Sequence, residues 1–548
     1  MRVVVASLLV VFAGCVKRVR TPDTTIVFTA KRIHTNDPGK PLAQAVAWKH
    51  GTIVAVGSRA EVLDAAGSDV IVEDFPDSVI VPGLVDSHGH LAALGRALSV
   101  VSLEGTRSPE EVLTRVKAAP RSAFQDEWLV GRGWDQNDWA VQEFPNRTAL
   151  DVAFPSTPVV LTRVDGHAAW VNGEALRRAG LSAKSKDPAG GQILRDAKGE
   201  PTGVLVDNAI DLVTVKMPQP GDEQLQQRLK LALETCARLG LTQVHDAGMD
   251  LRTLRLLQSW DMFGVLPIRL YVMADGQSEH DAEQFIGLGP FGGRHVELRA
   301  VKLVLDGALG SRGAALNAPY SDAPTQKGHL LLTADAFRAR ARAFADAGFQ
   351  IAVHAIGDLT NELVLETLKE LEPTRHRHRV EHAQVLRAED VEKFAKYGLI
   401  ASFQPTHATS DMPWAEARLG AERTKFAYAW KSVLLTGAHV TFGSDFPVES
   451  PNPLLGLYAA RTRRDANGAP KEGWMPEQTL SGEEALAGFT TGAAWASFAE
   501  KRRGRLEAGF DADLVVLPVD PVTDAPEKLL DAKVQVTVVG GVDVYRAP

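Results

Sequence analysis

A chain of 548 residues with 45% hydrophobic and 23% charged side chains has the balance of a globular protein, and its length calls for a large catalytic domain with additions. A formal net charge of −8 and a pI near 6.0, with no Lys/Arg stripe interleaved with aromatics, leave no basic footprint for nucleic acid. Two cysteines, Cys15 and Cys236, exclude both a disulfide framework and a Cys-rich metal site.

The chain opens with Met1-Arg2 and an apolar run from Val3 to Gly14, too short to span a bilayer. Its end, Phe12-Ala13-Gly14-Cys15, resembles the lipobox of bacterial lipoproteins, in which cleavage precedes the cysteine and the cysteine is lipidated. That resemblance implies a signal peptide over 1–15, membrane attachment through Cys15 and a place in the bacterial cell envelope, on its periplasmic or surface face. An ordinary secretory segment is the alternative. Beyond Cys15 no run is long and apolar enough for a transmembrane helix.

Short strands follow at Thr25-Ile26-Val27-Phe28, Ala45-Val46-Ala47-Trp48 and Thr52-Ile53-Val54-Ala55-Val56, separated by Asn/Asp/Pro/Gly turns. The far end is similar, with Asp513-Leu514-Val515-Val516-Leu517 and the run Val534 to Val539. Residues 16–80 and 505–548 therefore predict a composite β-sandwich built from both termini. The middle, 81–504, alternates short apolar strands with helical stretches, the pattern of βα units on a parallel sheet. Strands are expected near Val79 to Val85, Thr242 to His245, Ile268 to Met273, Ala300 to Leu305, Gln350 to His354, Arg379 to Glu381, Ile400 to Phe403 and Val440 to Phe442. Eight such strands predict an α/β fold, a (β/α)8 TIM-type barrel. The gap from Val85 to Thr242 far exceeds a βα connection and predicts an inserted subdomain at about 96–225, with an exposed loop over Lys184 to Gly199.

Three signals carry chemistry. Val81-Pro82-Gly83-Leu84-Val85-Asp86-Ser87-His88-Gly89-His90 is an apolar strand running into a His-x-His pair. Alternate residues share a face, so both imidazoles point to one spot at the carboxyl-terminal mouth of a barrel. Lys302 sits inside the apolar strand Ala300-Val301-Lys302-Leu303-Val304-Leu305, where an ammonium facing the interior is costly unless paired or altered. Either it pairs with Asp306, two strand positions on from Val304, or it carries CO2 as a carbamate and bridges two metal ions. Finally, His354, His382 and Asp445 each end an apolar strand, where a barrel places catalytic groups.

The order His-x-His, strand-four Lys, strand-five His, strand-six His and strand-eight Asp resembles the amidohydrolase superfamily. More narrowly it resembles the amidohydrolase-3 group, which includes N-substituted formamide deformylases. The similarity extends through Val164-Asp165-Gly166-His167-Ala168-Ala169-Trp170, Asp306-Gly307-Ala308-Leu309-Gly310-Ser311-Arg312, Ser402-Phe403-Gln404-Pro405-Thr406-His407 and Gly509-Phe510-Asp511-Ala512-Asp513. It implies that His88, His90 and Asp445 bind one metal, that His354 and His382 bind the other, and that carbamylated Lys302 bridges them. It also implies that His167, in the insertion, reaches the substrate. Arg312 and Gln404 are further substrate candidates, while Asp306, Asp358 and His407 are candidates to orient ligands or substrate and His245 is an outer or core residue. Trp134, Trp139 and Trp170 line a pocket or pack a core.

The expected activity is hydrolysis of a non-peptide, amide-type carbon–nitrogen bond of a small molecule. Two divalent ions, about 3.5–4 Å apart, lower the pKa of a bound water to near neutrality and polarise the carbonyl, so that metal-bound hydroxide attacks. Zinc suits such donors, though manganese, iron and nickel are not excluded by them. Asp445 takes the water's proton and passes it to the leaving nitrogen. Lactone or ester hydrolysis and deamination are alternatives on the same scaffold, and a solute- or metal-binding envelope protein is the alternative outside enzymes. Substrate identity and oligomeric state are not legible in the sequence.

Overall fold

Eight short, largely buried strands pair in parallel because helices cover their outer faces. They are β1 (Leu84–Gly89), β2 (Leu241–Met249), β3 (Arg269–Asp275), β4 (Val296–Val304), β5 (Gln350–Ala355), β6 (Arg379–His382), β7 (Ile400–Phe403) and β8 (His439–Phe442). Each is hydrogen-bonded to the next in chain order. A parallel bridge between Gly89 and Phe446 brings the last strand back to the first. Gly89 is required there, since a Cβ would lie 2.3 Å from the Phe446 ring. This computed structural model describes residues 24–120, 123–163, 168–188, 191–218 and 221–548. The signal segment, Cys15 and His167 lie outside the described residues.

The expected eight-strand barrel is present, with one displaced strand. Val79 to Val85 is not a single element: Val79–Pro82 completes the long strand Val70–Pro82 of a second sheet, and the barrel begins only at Leu84. The break falls at Gly83, where a Cβ would sit 2.3 Å from Thr242 Oγ1 and whose N–H donates to Asp513 O at 2.9 Å. An apolar run shows burial but not the sheet it joins, so the junction is invisible to periodicity.

The second sheet has seven strands drawn from both ends of the chain. Its order is Val542–Arg546, Val536–Val539, Leu514–Leu517, Val70–Pro82, Thr25–His34, Leu42–Lys49 and Thr52–Gly57. The two ends meet where Leu514–Leu517 pairs antiparallel with Val79–Pro82. Phe28, Trp48, Ile80, Leu514, Val516 and Val538 share one apolar cluster, so neither end can bury its strands alone.

This sheet is tied to the barrel by Arg269, the first residue of β3. Its Nε donates to Asp513 Oδ2 at 2.8 Å and its Nη2 to Asp513 Oδ1 at 3.1 Å, both side chains being buried. Asp513→Ala leaves this guanidinium the Asp511 carboxylate at 3.4 Å and the Arg294 carbonyl at 3.5 Å. The expected cost is about 3 kcal/mol, near the lower end for breaking a buried pair. Denaturant unfolding checks it, and a loss below about 1 kcal/mol, the scale of a surface pair, removes the tie.

The chain divides into two compact units, Met1–Leu91 with Leu233–Pro548, and Ala92–Ala232. The second unit holds its own sheet, in the order Gly191–Arg195, Pro201–Asp207, Ala168–Val171, Val159–Arg163, Trp128–Trp134 and Val101–Ser102, with Phe124–Gln125 on Trp128–Trp134. Trp134, Trp139 and Trp170 are buried together in its core, and Trp134 Nε1 donates to Leu161 O at 2.7 Å. The Lys184 to Gly199 stretch, expected as a loop, supplies the edge strand Gly191–Arg195, anchored by Ile193, which is buried. Its polar composition reflects an edge position, where one face meets solvent.

Candidate metal centre

Strand β1 carries Asp86 and His88 on one face, and His90 follows on the same parity. His88 is fully buried, and its Nδ1 lies 2.6 Å from Glu381 Oε2 on β6. Glu381 is clamped by Arg379, whose Nε and Nη2 donate to its two oxygens at 2.7 and 3.0 Å. Arg379 also donates to Ser87 O at 2.8 Å and to Ser402 Oγ at 3.0 Å. Burial alone would raise the Glu381 carboxyl, but Arg379 and His88 outweigh it and hold the group well below the usual carboxylate range. An ionised carboxylate only accepts, so His88 carries its proton on Nδ1 and turns the Nε2 lone pair inward.

His382 is oriented the same way. Its Nδ1 lies 2.7 Å from Gln404 Oε1, leaving Nε2 free, and its ring centroid is 4.9 Å from that of His88. Glu381 and His382 are adjacent in sequence yet both reach His88. They do so because the strand ends in left-handed backbone, with φ 72° at His382 and 45° at Ala383.

Asp445 stands three residues beyond β8, also left-handed at φ 60°. Its N–H donates to His88 O at 2.7 Å, and its Oδ1 lies 3.0 Å from His90 Nε2 and 3.6 Å from His88 Nε2. Asp86 pins this loop to β1 by accepting from Ser444 Oγ at 2.6 Å and from the N–H of His88 at 3.0 Å; burial pushes its carboxyl up to about 7. Donor atoms of His88, His382 and Asp445 lie within 4.8 Å of one another.

Lys302 is buried on β4, with Nζ 3.1 Å from His88 Nε2, and burial pushes its ammonium down. It does not pair with Asp306. That carboxylate accepts instead from the N–H groups of Ala315, Ile356 and Gly357 and from Thr360 Oγ1, at 2.8 to 3.0 Å, fastening the loops after β4 and β5. His354, on β5, sits with its ring 4.4 Å from that of His382, and its buried Nε2 has no hydrogen-bond partner. Burial, with Lys302 beside them, pushes His88 down to about 4 and His354 to about 3, so both imidazoles are neutral at pH 7.

His88, His90, Lys302, His354, His382 and Asp445 thus come together at the carboxyl ends of their strands. Gln404 lies against His382. Arg312 pairs with Asp322 at 2.8 Å in the segment that follows β4. His245 packs on Tyr271 with its Nδ1 3.0 Å from Arg379 Nη1. Sequence reasoning missed Glu381 and Arg379. The available signal was an Arg-x-Glu pair of opposite charges on one face of a short apolar strand.

The donor set fits divalent cations: neutral imidazoles with Nδ1 locked outward, a carboxylate, and a buried Nε2 that is otherwise orphaned. Removing an outer partner tests this directly. Glu381→Gln is expected to weaken metal binding about 10–100-fold, read by competition with a chelator. It also leaves Arg379 buried without a countercharge, so the unfolding temperature falls. Unchanged metal affinity would rule out the orienting role of Glu381.

A parallel barrel with such donors gathered at the strand ends defines the class, a metal-dependent hydrolase. The model of the amidohydrolase family matches residues 72–545, and the chain belongs to that family, as its motif order implied. It is 34% identical over 509 residues to YtcJ of Bacillus subtilis (strain 168), described as a candidate amidohydrolase, covering 92% of this chain and 96% of that protein. It is 27% identical over 538 residues to an N-substituted formamide deformylase of Arthrobacter pascens, covering 94% and 97%. Among solved structures, an uncharacterized metal-dependent hydrolase from Pyrococcus horikoshii OT3 superimposes with a TM-score of 0.78 at 27% identity, covering 92% of this chain and 99% of that one.

Proposed function

We propose that the protein hydrolyses a non-peptide, amide-type carbon–nitrogen bond of a small molecule. The observation that carries this is that donor atoms of His88, His382 and Asp445 lie within 4.8 Å of one another, with the two imidazoles held from behind by Glu381 and Gln404. In this reading His88, His90 and Asp445 hold one ion, His354 and His382 the other, and Lys302 joins them as a carbamate. Carbamate formation joins Nζ of the unprotonated amine to CO2 and releases one proton, turning a buried neutral amine into a buried anion. The burial of Lys302 without a carboxylate in ion-pair range, among the described residues, supports it. Two divalent ions, with zinc favoured by imidazole and carboxylate donors, supply a water of lowered pKa and polarise the carbonyl.

Asp445 accepts the water's proton at a carboxylate oxygen and returns it to the leaving nitrogen, which a poor amine leaving group requires. Glu381 and Gln404 keep the two imidazoles in register, and Asp86 keeps Asp445 against β1. Carbon–nitrogen cleavage is favoured over ester or lactone cleavage by the formamide deformylase, similar along nearly the whole chain. Attachment to the bacterial envelope through a lipidated Cys15 belongs to the same proposal and rests on Phe12 to Cys15 alone.

The test is turnover by zinc-loaded, bicarbonate-supplied protein across N-formyl amines, N-acyl amines, cyclic amides, lactones and esters. Hydrolysis of one of the amide classes is expected. Turnover confined to lactones or esters overturns the bond assignment, and no turnover at all favours a solute- or metal-binding protein.

A further inference from the structure

After β7 the chain turns at Gln404 into the helix Pro405–Leu419, with Pro405 at its first position. His407 stands in the first turn, and its ring runs parallel to that of His382, at 15° and 5.9 Å between centroids. Its Nε2 is buried and has no hydrogen-bond partner. Asp445 Oδ2 lies 3.8 Å away, beyond hydrogen-bond range, while the other Asp445 oxygen is engaged by His90. A buried polar nitrogen left unpaired is costly. A ligand atom entering beside Asp445 is the group placed to satisfy it.

We infer that His407 contacts the substrate, its Nε2–H donating a hydrogen bond to the oxygen of the scissile carbonyl as negative charge gathers there. This rests on the hydrolytic reading above. A donor that finds its partner only when substrate is bound, and binds it more tightly as charge develops, lowers the barrier rather than merely the KM. The first turn of a helix adds the positive end of its dipole at the same place. The product carboxylate would meet the same donor.

His407→Ala and His407→Gln, both zinc-loaded, are compared with the unaltered protein; glutamine carries an amide N–H to a similar position. His407→Ala is expected to lower kcat/KM by roughly 10²–10³-fold, the effect of losing one oxyanion donor, with metal content and unfolding temperature unchanged. His407→Gln is expected to recover to within about tenfold, as a neutral hydrogen bond partly replaces the lost one. Calorimetric titration with acetate, standing for the product carboxylate, should show binding weakened about tenfold by His407→Ala and little by His407→Gln, the scale of one hydrogen bond to a charged group. Equal acetate affinity in the alanine variant and the unaltered protein overturns the inference. So does loss of metal from His407→Ala, which makes His407 a ligand instead. Acetate binding that depends on His407, in a protein that hydrolyses no amide of the panel, upholds the contact and counts against the hydrolytic reading alone.

Discussion

Lys302→Ala protein, loaded with zinc in the presence of bicarbonate, is expected to retain at most one tightly held metal per chain where the unaltered protein retains two, the number a bridged two-metal site holds. The reason is the position of Nζ, buried on β4 and 3.1 Å from His88 Nε2, with Asp306 already occupied by four other donors. No carboxylate is in ion-pair range of Lys302 among the described residues, and in the proposed reading the carbamate on Lys302 would be the bridging anion there. Hydrolysis should fall by at least roughly 10²–10³-fold, the scale for losing one preorganised electrostatic stabiliser. Elemental analysis after chelator washing reads the first quantity and steady-state kinetics the second. Two tightly bound metals in Lys302→Ala would sink the bridge. Folding should be little harmed, because removing the lysine also removes the cost of burying its charge.

Asp445→Asn is expected to reduce kcat by roughly 10²–10⁴-fold, the range for losing a positioned proton acceptor. This substitution leaves folding aside because the backbone tolerates it. Asp445 sits at φ 60°, where asparagine is among the few side chains at ease, and its N–H to His88 O hydrogen bond does not involve the side chain. The variant should therefore fold while failing to move the proton, and it should also hold metal more weakly, having lost an anionic donor. Kinetics within tenfold of the unaltered protein would remove Asp445 from proton transfer. Loss of activity explained wholly by lost metal, and restored at high zinc, would reduce it to a ligand.

Much of the architecture was legible because most barrel strands carry short apolar runs with polar residues at their carboxyl ends. Lys302, His354 and His382 announce themselves by interrupting or closing such runs, and His88 and His90 by their spacing of two. The junction at Gly83 was not legible, since Val79 to Val85 looks the same whether it serves one sheet or two. Nor was Lys184 to Gly199 as a sheet edge, because an edge strand needs only one buried residue, Ile193, to hold it.

The sequence by itself determined the kind of donors available and the strands that present them, because strand periodicity is local and needs no knowledge of neighbours. Tertiary structure decided what holds those donors in place. Glu381 beneath His88 lies 293 positions from its partner and Gln404 beneath His382 lies 22; Arg379 is only two positions from Glu381, but that the pair supports His88 is decided by the distant strand it meets. The same holds for Asp306, which reads as a natural counterion to Lys302 along the strand yet is claimed by loops after β4 and β5. Hydrogen-bonding capacity is finite, and which donors exhaust a buried carboxylate is settled only when distant segments meet.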